Sequence, residues 1–286
     1  MSKFSLGLLN SRNVEFHKQE VEIFEFPGGE VSVKLPERLV SDPKSQVSIT
    51  VHAQVTDSVG VMALLLINNA IDQLMISGCT KELVILYVPY ARQDRVCNKG
   101  EALSIQVMAQ LINSMKFDLV LIADPHSDVT PALINNVIII PQVDVIDLIP
   151  ALTMRLHKSE LTLVSPDAGA VKKSQVVAAN YGAELVYASK KRNVATGELT
   201  GFAYEGLVRG KDLLIIDDIC DGGGTFVGLA SILKEGGAKS VTLFVTHGIF
   251  SKGIDVLLNT ATIDAIYTTD SLPIDFEHPN FFKLML

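Results

Sequence analysis

In the run LLIIDDICDGGGTFVGLASIL, three carboxylates, Asp217, Asp218 and Asp221, crowd the approach to Gly222, Gly223, Gly224 and Thr225. Glycines let a backbone come close to a ligand, and the N–H groups of such a loop, backed by the positive end of a following helix, suit a phosphate. Carboxylates repel one. Asp217 and Asp218 therefore need a different part of the same ligand, and sugar hydroxyls fit. A ribose phosphate meets both demands, with its phosphate on the loop and its 2′ and 3′ hydroxyls on the two acids, directly or through a divalent metal. The plainer alternative is a flexible strand-to-helix connection in which Asp221 or Thr225 caps the helix. No Walker A sequence occurs in the chain.

These residues need elements to hold them. Short apolar runs alternate with longer helical patterns, which predicts an α/β protein with mostly parallel sheets. Strands are predicted over 47–51, 83–88, 119–123, 161–164, 184–187, 213–216, 241–245 and 265–268; most lack polar alternation, as strands buried on both faces do. Helices are predicted over 60–76, 103–115, 170–180 and 225–235, the last with Phe226, Leu229, Ile232 and Leu233 on one side and Gly236-Gly237 as a stop. Ahead of them, 21–26 and 31–35 flank PGGE and read as a β-hairpin. Ligands of parallel sheets bind beyond the carboxyl ends of the strands, where the glycine loop falls. The chain also repeats loosely. In each half a strand ends in a polar cluster, YARQD and then DDICDGGGT, a helix follows, and the next strand ends in a histidine motif, ADPHS and then VTHG. The repeat predicts two related domains, 1–142 and 143–286.

With 286 residues, 48% of them hydrophobic, the chain has ample material for packed cores. Its 24 basic and 32 acidic side chains give a net charge of -8 without a basic block, which argues against nucleic acid as a partner but leaves room for local phosphate sites. Cys79, Cys97 and Cys220 have no C-x-x-C spacing. That argues against zinc and against a disulfide framework, and fits a reducing cytosol. The N-terminal MSKFSLGLLNSRN lacks the long apolar stretch and cleavage site of a signal peptide, and the longest apolar run, near 61–67, is too short to span a bilayer. A cytoplasmic protein without a membrane partner is expected.

The acidic pair, the third acid and the glycine turn ending in threonine resemble the phosphoribosyl-binding motif of the type I phosphoribosyltransferase fold. Further segments narrow the likeness: YARQDR (90–95), DPHS (124–127), VSPDAGAVKKS (164–174), KKR (190–192) and GGAKSVTLFVTHGIFS (236–251). They stand in the order seen in ribose-phosphate pyrophosphokinases, the PRPP synthetases, over most of the chain. The resemblance implies two tandem type I phosphoribosyltransferase-like domains, the first on the ATP side and the second on the ribose-phosphate side. It implies a magnesium-dependent transfer of the β,γ-diphosphoryl group of ATP to the anomeric hydroxyl of ribose 5-phosphate, giving PRPP and AMP. His126 and Asp167 would position magnesium, and Lys190 and Arg192, on a mobile loop, would stabilise the transferred group. Arg92, Gln93 and Asp94 match the ATP-binding segment. Phe26 and Glu30, in the hairpin, would contact adenine across a subunit interface, which implies a homodimer or a higher homo-oligomer. Taken singly, each has a bland alternative: a structural histidine for His126, a helix cap for Asp167, a solvated loop for Lys190 and Arg192, a surface ion pair for Arg92 and a strand-core residue for Phe26.

The chain also departs from the family's pattern. The hairpin has Gly28 where Asp or Asn is usual, the glycine loop has Gly222 where Thr is usual, and VTPALINN replaces a QGFF-like segment. A loop without that threonine has more room, so a ribose whose 5-phosphate is already esterified, such as ADP-ribose, is the alternative acceptor, with a role in NAD synthesis. A catalytically inactive regulatory subunit and a simple phosphoribosyltransferase are the other readings. Retention of His126, Asp167, Lys190, Arg192 and the acidic pair argues against the first of these.

Overall fold

The structure, a computed structural model, describes residues 1–10, 17–74, 76–192 and 199–286. Its contacts divide the chain into two units, Met1–Ile140 and Pro141–Leu286. The first unit opens with strands β1 (Lys3–Asn10) and β2 (His17–Glu20), the hairpin strands β3 (Glu22–Glu25) and β4 (Val31–Lys34), and a short helix α1 (Glu37–Ser41). There follow β5 (Gln46–Gln54), α2 (Ser58–Gln73), β6 (Thr80–Val84), α3 (Ser104–Ser114), β7 (Leu119–Ala123), α4 (Val129–Leu133) and β8 (Val137–Ile140). Six of these strands form a sheet in the order β2-β1-β5-β6-β7-β8. It is antiparallel on both sides of β1 and parallel from β5 to β8.

Burial explains this arrangement. Val51, Leu83, Val120 and Ile122 of the strands pack with Leu64, Ile67, Ile105, Met108 and Ile112 of α2 and α3 in one core. The apolar run at 83–88, expected to be a strand throughout, leaves the regular ladder after Val84. Ile85 N–H still donates to Leu121 and Leu86 still accepts from Ala123, so the backbone stays paired while the chain turns at Tyr90, whose φ is +65°. Helix α2 starts two residues before the predicted position because Asp57 caps it, its Oδ1 accepting from Gly60 N–H at 2.7 Å. That bond, helped by Thr56 and Ser2, outweighs partial burial and holds the Asp57 carboxyl below its usual range. Gly60 also lets Ser2, the residue ahead of β1, lie against the helix start, since a β-carbon there would overlap it.

The second unit contains α5 (Gln142–Asp147), α6 (Pro150–His157), β9 (Thr162–Ser165), α7 (Val171–Tyr181), β10 (Leu185–Arg192) and β11 (Leu199–Glu205). It ends with β12 (Asp212–Cys220), α8 (Gly224–Glu235), β13 (Ser240–Gly248), α9 (Asp255–Leu258), β14 (Ala265–Thr269) and β15 (Phe281–Leu284). The sheet order is β11-β10-β9-β12-β13-β14-β15, with β10 and β11 antiparallel and the other pairs parallel. Its core joins Leu213, Ile215, Leu243 and Ile266 of the strands to Phe226, Leu229 and Leu233 of α8. The mixed α/β architecture with mostly parallel sheets is the one expected. Strands β1, β11 and β15 were not, nor were β2 and β8, the two edge strands of the first sheet. Strand β1 pairs antiparallel with β5, β11 completes a hairpin with β10, and β15 is fixed by a stacked pair, Tyr267 on Phe282, with ring centroids 4.7 Å apart.

The Asp57 cap is testable without reference to function. Asp57→Ala is expected to lower the stability of the first unit by about 1 kcal/mol, read as a lower urea midpoint at unchanged slope. Asp57→Asn, which keeps an acceptor at the same place, is expected to retain most of the wild-type midpoint.

Candidate active site

The acidic pair lies on a strand rather than in a loop. Strand β12 was expected to end at 216, but β13 is long enough to pair with it through Cys220, opposite Gly248. Asp217 and Asp218 are therefore the sixth and seventh residues of a nine-residue strand, held rigidly at its carboxyl end. Asp218 is buried, and its backbone N–H donates to Asp217 Oδ1 at 2.9 Å. Gln142, buried at the start of α5, fixes the same point from behind, its side-chain amide donating to the Asp217 carbonyl at 2.9 Å. Burial pushes the Asp217 carboxyl well above the usual carboxylate range, and the charges of Asp218 and Asp167 push it the same way. Lys173, from α7, brings an ammonium to 3.8 Å from Asp218 Oδ2.

The glycine loop follows directly. Helix α8 begins at Gly224 behind Gly223, an N-cap residue that offers no side chain for a capping hydrogen bond. The N-cap position is thus Gly223, neither Asp221 nor Thr225. First-turn N–H groups of a helix have no partner within it, so the start of α8 offers donors to an anion. Of the three glycines, Gly223 is the one the backbone requires: its φ is +76°, and a β-carbon would stand 2.9 Å from Leu257 of α9. Cys220, between the acids, is a buried free thiol. Burial, with the charges of Asp217 and Asp221, pushes its thiol up to about 12.

Asp167 lies just past β9, the neighbour of β12. Its Oδ1 accepts from the N–H groups of Gly169 and Ala170 at 2.9 and 3.3 Å, and its Oδ2 pairs with Lys190 Nζ at 2.8 Å. Burial alone would raise its carboxyl; the Lys190 ammonium and the two N–H groups outweigh that and hold it below the usual range. Lys190 was expected on a loop and is instead on β10, opposite Phe202 of β11, because the LTGFAYE segment pairs with it across the hairpin. Phe202 in turn lies over Gly228 of α8, where any β-carbon would overlap its ring. The hairpin that carries Lys190 is thus packed against the helix that starts at the glycine loop. Arg192 ends β10; its side chain and residues 193–198 lie outside what the structure describes.

In the first unit, Arg92, Gln93 and Asp94 follow β6, and His126 follows β7, so both segments stand beyond the carboxyl ends of adjacent parallel strands. His126 is exposed, and the turn that carries it starts at Asp124, buried with φ +36°. Phe26 and Glu30 belong elsewhere on this unit. They line a groove of about 600 Å³ with Gly29, Val31, Ser32 and, from α2, Ser58, Val59 and Met62, and none of Arg92, Gln93 and Asp94 lines it. Phe26 is 49% exposed with its ring edge-on to Phe24 at 5.3 Å, so it is not the strand-core residue that was its bland alternative. Sequence reasoning missed Gln142 and Lys173. The second stands inside the quoted VSPDAGAVKKS segment, but only the packing of α7 turns it toward Asp218.

Two α/β units in one chain, the second with a carboxylate pair before an uncapped glycine turn, define a phosphoribosyltransferase-like protein of the tandem kind. Residues 7–115 match the family model described as the N-terminal domain of ribose phosphate pyrophosphokinase, and residues 192–285 that of the phosphoribosyl synthetase-associated domain. The ribose-phosphate pyrophosphokinase of Corynebacterium efficiens is 30% identical over 271 residues, 92% of this chain and 80% of that one. The enzyme of the same name from Pyrococcus furiosus is 31% identical over 258 residues, 88% and 86% of the two chains. The solved structure of phosphoribosylpyrophosphate synthetase from Mycobacterium smegmatis has the same fold, with a TM-score of 0.77 at 23% identity over 93% of this chain and 85% of that one. The chain belongs to the ribose-phosphate pyrophosphokinase family, a family of transferases.

The crowding of Asp217 has a measurable sign. An aspartate whose carboxyl is raised in the folded state binds its proton more tightly folded than unfolded, so stability is lost as pH rises from the unfolded value through the raised one. Asp217→Asn removes that loss while keeping the acceptor for Asp218 N–H. The ligand-free variant is expected to melt about 2 °C or more above wild type at pH 8, with the gap narrowing toward pH 5, in calorimetric scans.

Proposed function

We propose that this protein transfers the β,γ-diphosphoryl group of ATP to the anomeric hydroxyl of ribose 5-phosphate, giving PRPP and AMP. One observation carries the reading: in the second unit the Asp217–Asp218 pair, the uncapped start of α8 and the Lys190–Asp167 ion pair all stand at the carboxyl ends of β9, β10 and β12. The loop N–H groups take the 5-phosphate, and the two acids take the ring hydroxyls. Lys190 and Arg192 meet the negative charge that grows on the transferred group. The anomeric oxygen bonds to the β-phosphorus as the bond from that phosphorus to the α-phosphate oxygen breaks; the hydroxyl proton is released and AMP leaves. Holding the two substrates in line supplies much of the rate.

The first unit would serve ATP. We assign the triphosphate to Arg92, Gln93 and Asp94, and adenine to Phe26 and Glu30, whose groove would face the nucleotide of a neighbouring copy in a homo-oligomer. Magnesium suits the oxygen donors present. Among the described residues no three His, Cys, Asp or Glu groups form a ready cage, and magnesium is commonly held by one or two carboxylates with substrate phosphates supplying the rest. Crowding at Asp217 is of the kind a divalent cation relieves. Asp167 and His126 are the residues we assign to it, and when bound it would neutralise charge on the triphosphate. Three free cysteines suit a reducing compartment such as the cytosol, and no helix among the described residues is long and apolar enough to cross a membrane.

The open side of the loop favours a second acceptor. At Gly222, where the missing threonine suggested room, the Lys252 side chain comes to 3.5 Å of where a β-carbon would stand, whereas a β-carbon on Gly224 would meet nothing within 4 Å; the space at Gly224 is the one that would serve a group attached to the 5-phosphate, as in ADP-ribose. A mass-resolved assay with ATP and magnesium, offering ribose 5-phosphate and ADP-ribose separately, is expected to yield AMP and a pyrophosphorylated sugar. Product chiefly from ADP-ribose would change the acceptor, and AMP from neither would overturn the reading in favour of a regulatory subunit. Lys190→Ala is expected to lower kcat by about 10²–10³ with an unchanged circular dichroism spectrum. Asp218→Asn is expected to raise the acceptor KM by about tenfold at an unchanged KM for ATP; a selective loss of ATP affinity would remove Asp218 from the sugar site.

A further inference from the structure

Lys252 belongs to none of the motifs above, yet it lies against the glycine loop. It sits in the turn at 251–253 after β13, and its side chain runs alongside Gly222, with Cε and Cδ 3.5 and 3.6 Å from where a β-carbon of residue 222 would stand. The stem thus lies in van der Waals contact with that position, and the ammonium group is one bond further on. The placement is held by the backbone. Ile249 and Phe250 N–H both donate to the Cys220 carbonyl, at 2.8 and 3.2 Å, so the strand of the loop and the segment leading to Lys252 share one acceptor. Gly253, with φ +76°, closes the turn by donating to Phe250 at 2.8 Å. Leu257, from the helix that follows, packs against Gly223.

The charges around the loop say what this lysine is for. Between Asp212 and Leu233 the chain has four aspartates and no basic residue, so a phosphate on the loop would meet neutral N–H donors in an acidic neighbourhood. The other nearby ammonium groups are engaged, Lys173 on Asp218 and Lys190 on Asp167. No ion pair among the described residues takes up Lys252. An ammonium beside a phosphate makes charge-assisted hydrogen bonds roughly twice as strong as neutral ones. We infer that Lys252 is the counter-charge for the phosphate on C5 of the acceptor sugar, and so a determinant of the acceptor that the enzyme takes. The inference rests on the ribose-phosphate reading of the glycine loop. Because Lys252 is exposed, its contribution falls as salt is added.

The test is calorimetric titration of the full-length protein with ribose 5-phosphate, in magnesium and a non-hydrolysable ATP analogue, at low and high salt. Lys252→Ala is expected to weaken binding about tenfold or more at low salt and less at high salt, with Lys252→Arg close to wild type and the affinity for the ATP analogue unmoved. In turnover the same variant raises the acceptor KM and leaves kcat within about twofold. Equal affinity of wild type and Lys252→Ala at both salt concentrations would overturn the inference, and so would a loss that Lys252→Arg does not restore. Failure of the proposed activity reads differently. If the sugar phosphate binds in a Lys252-dependent way but no AMP is formed from ATP, the assignment of Lys252 stands and the diphosphoryl transfer falls. If wild type binds no sugar phosphate, both fall.

Discussion

Asp217 is an ionisable group placed deep at the end of β12 beside Asp218, so the charge on each raises the free energy of the other. Asp218 is buried and Asp217 half-buried, so solvent screens the pair incompletely. The surroundings respond in kind: Gln142 fixes the Asp217 carbonyl, Lys173 approaches Asp218, and Lys190 holds Asp167, the third acid whose field reaches Asp217. Perturbed carboxylates of this sort are commonly functional, because only a ligand that needs two acids relieves them. The stability given up at β12 is the physical counterpart of the affinity we propose for sugar hydroxyls or a cation.

The rest of the second unit serves to hold that pair beside the glycine loop, to which we assign the phosphate. Parallel pairing brings the carboxyl ends of β9, β10 and β12 side by side, and α8 starts beyond them behind Gly223, which offers no capping side chain. Two glycines set the closeness of these parts. Gly223 lets the loop turn against Leu257, and Gly228 lets Phe202 lie on α8, which seats the hairpin of Lys190 by the same helix. Substituting either would move a wall of the site rather than a group in it. Lys252 reaches the loop from the other flank, through a turn hung on the Cys220 carbonyl.

The first unit repeats the plan with different side chains. Its parallel strands present Arg92, Gln93 and Asp94 after β6 and His126 after β7, and the positive φ at Tyr90 and at Asp124 turns the chain just past each strand. Backbone conformations of that kind are costly for non-glycine residues and collect at functional edges. The hairpin with Phe26 is a separate feature, exposed and set against the start of α2. The family match rests on both units, with one family model in each half and relatives aligned over most of the chain.

The sequence by itself determined the kind of protein this is. Apolar runs with period-2 or buried-strand character, helix-period stretches and glycine stops are local properties, so the α/β alternation and most of the central strands and helices were legible. So were the acidic pair, the glycine loop and the PGGE hairpin, because their meaning lies in neighbouring residues. Tertiary structure alone decided how far β12 runs, since its last residues are strand only because β13 offers partners as far as Gly248. It also decided that Lys190 stands on a strand facing Asp167, 23 residues away, and that Lys252 lies on Gly222. Such contacts depend on strand register and on which glycine leaves a space, and close packing fixes both only after distant segments have met.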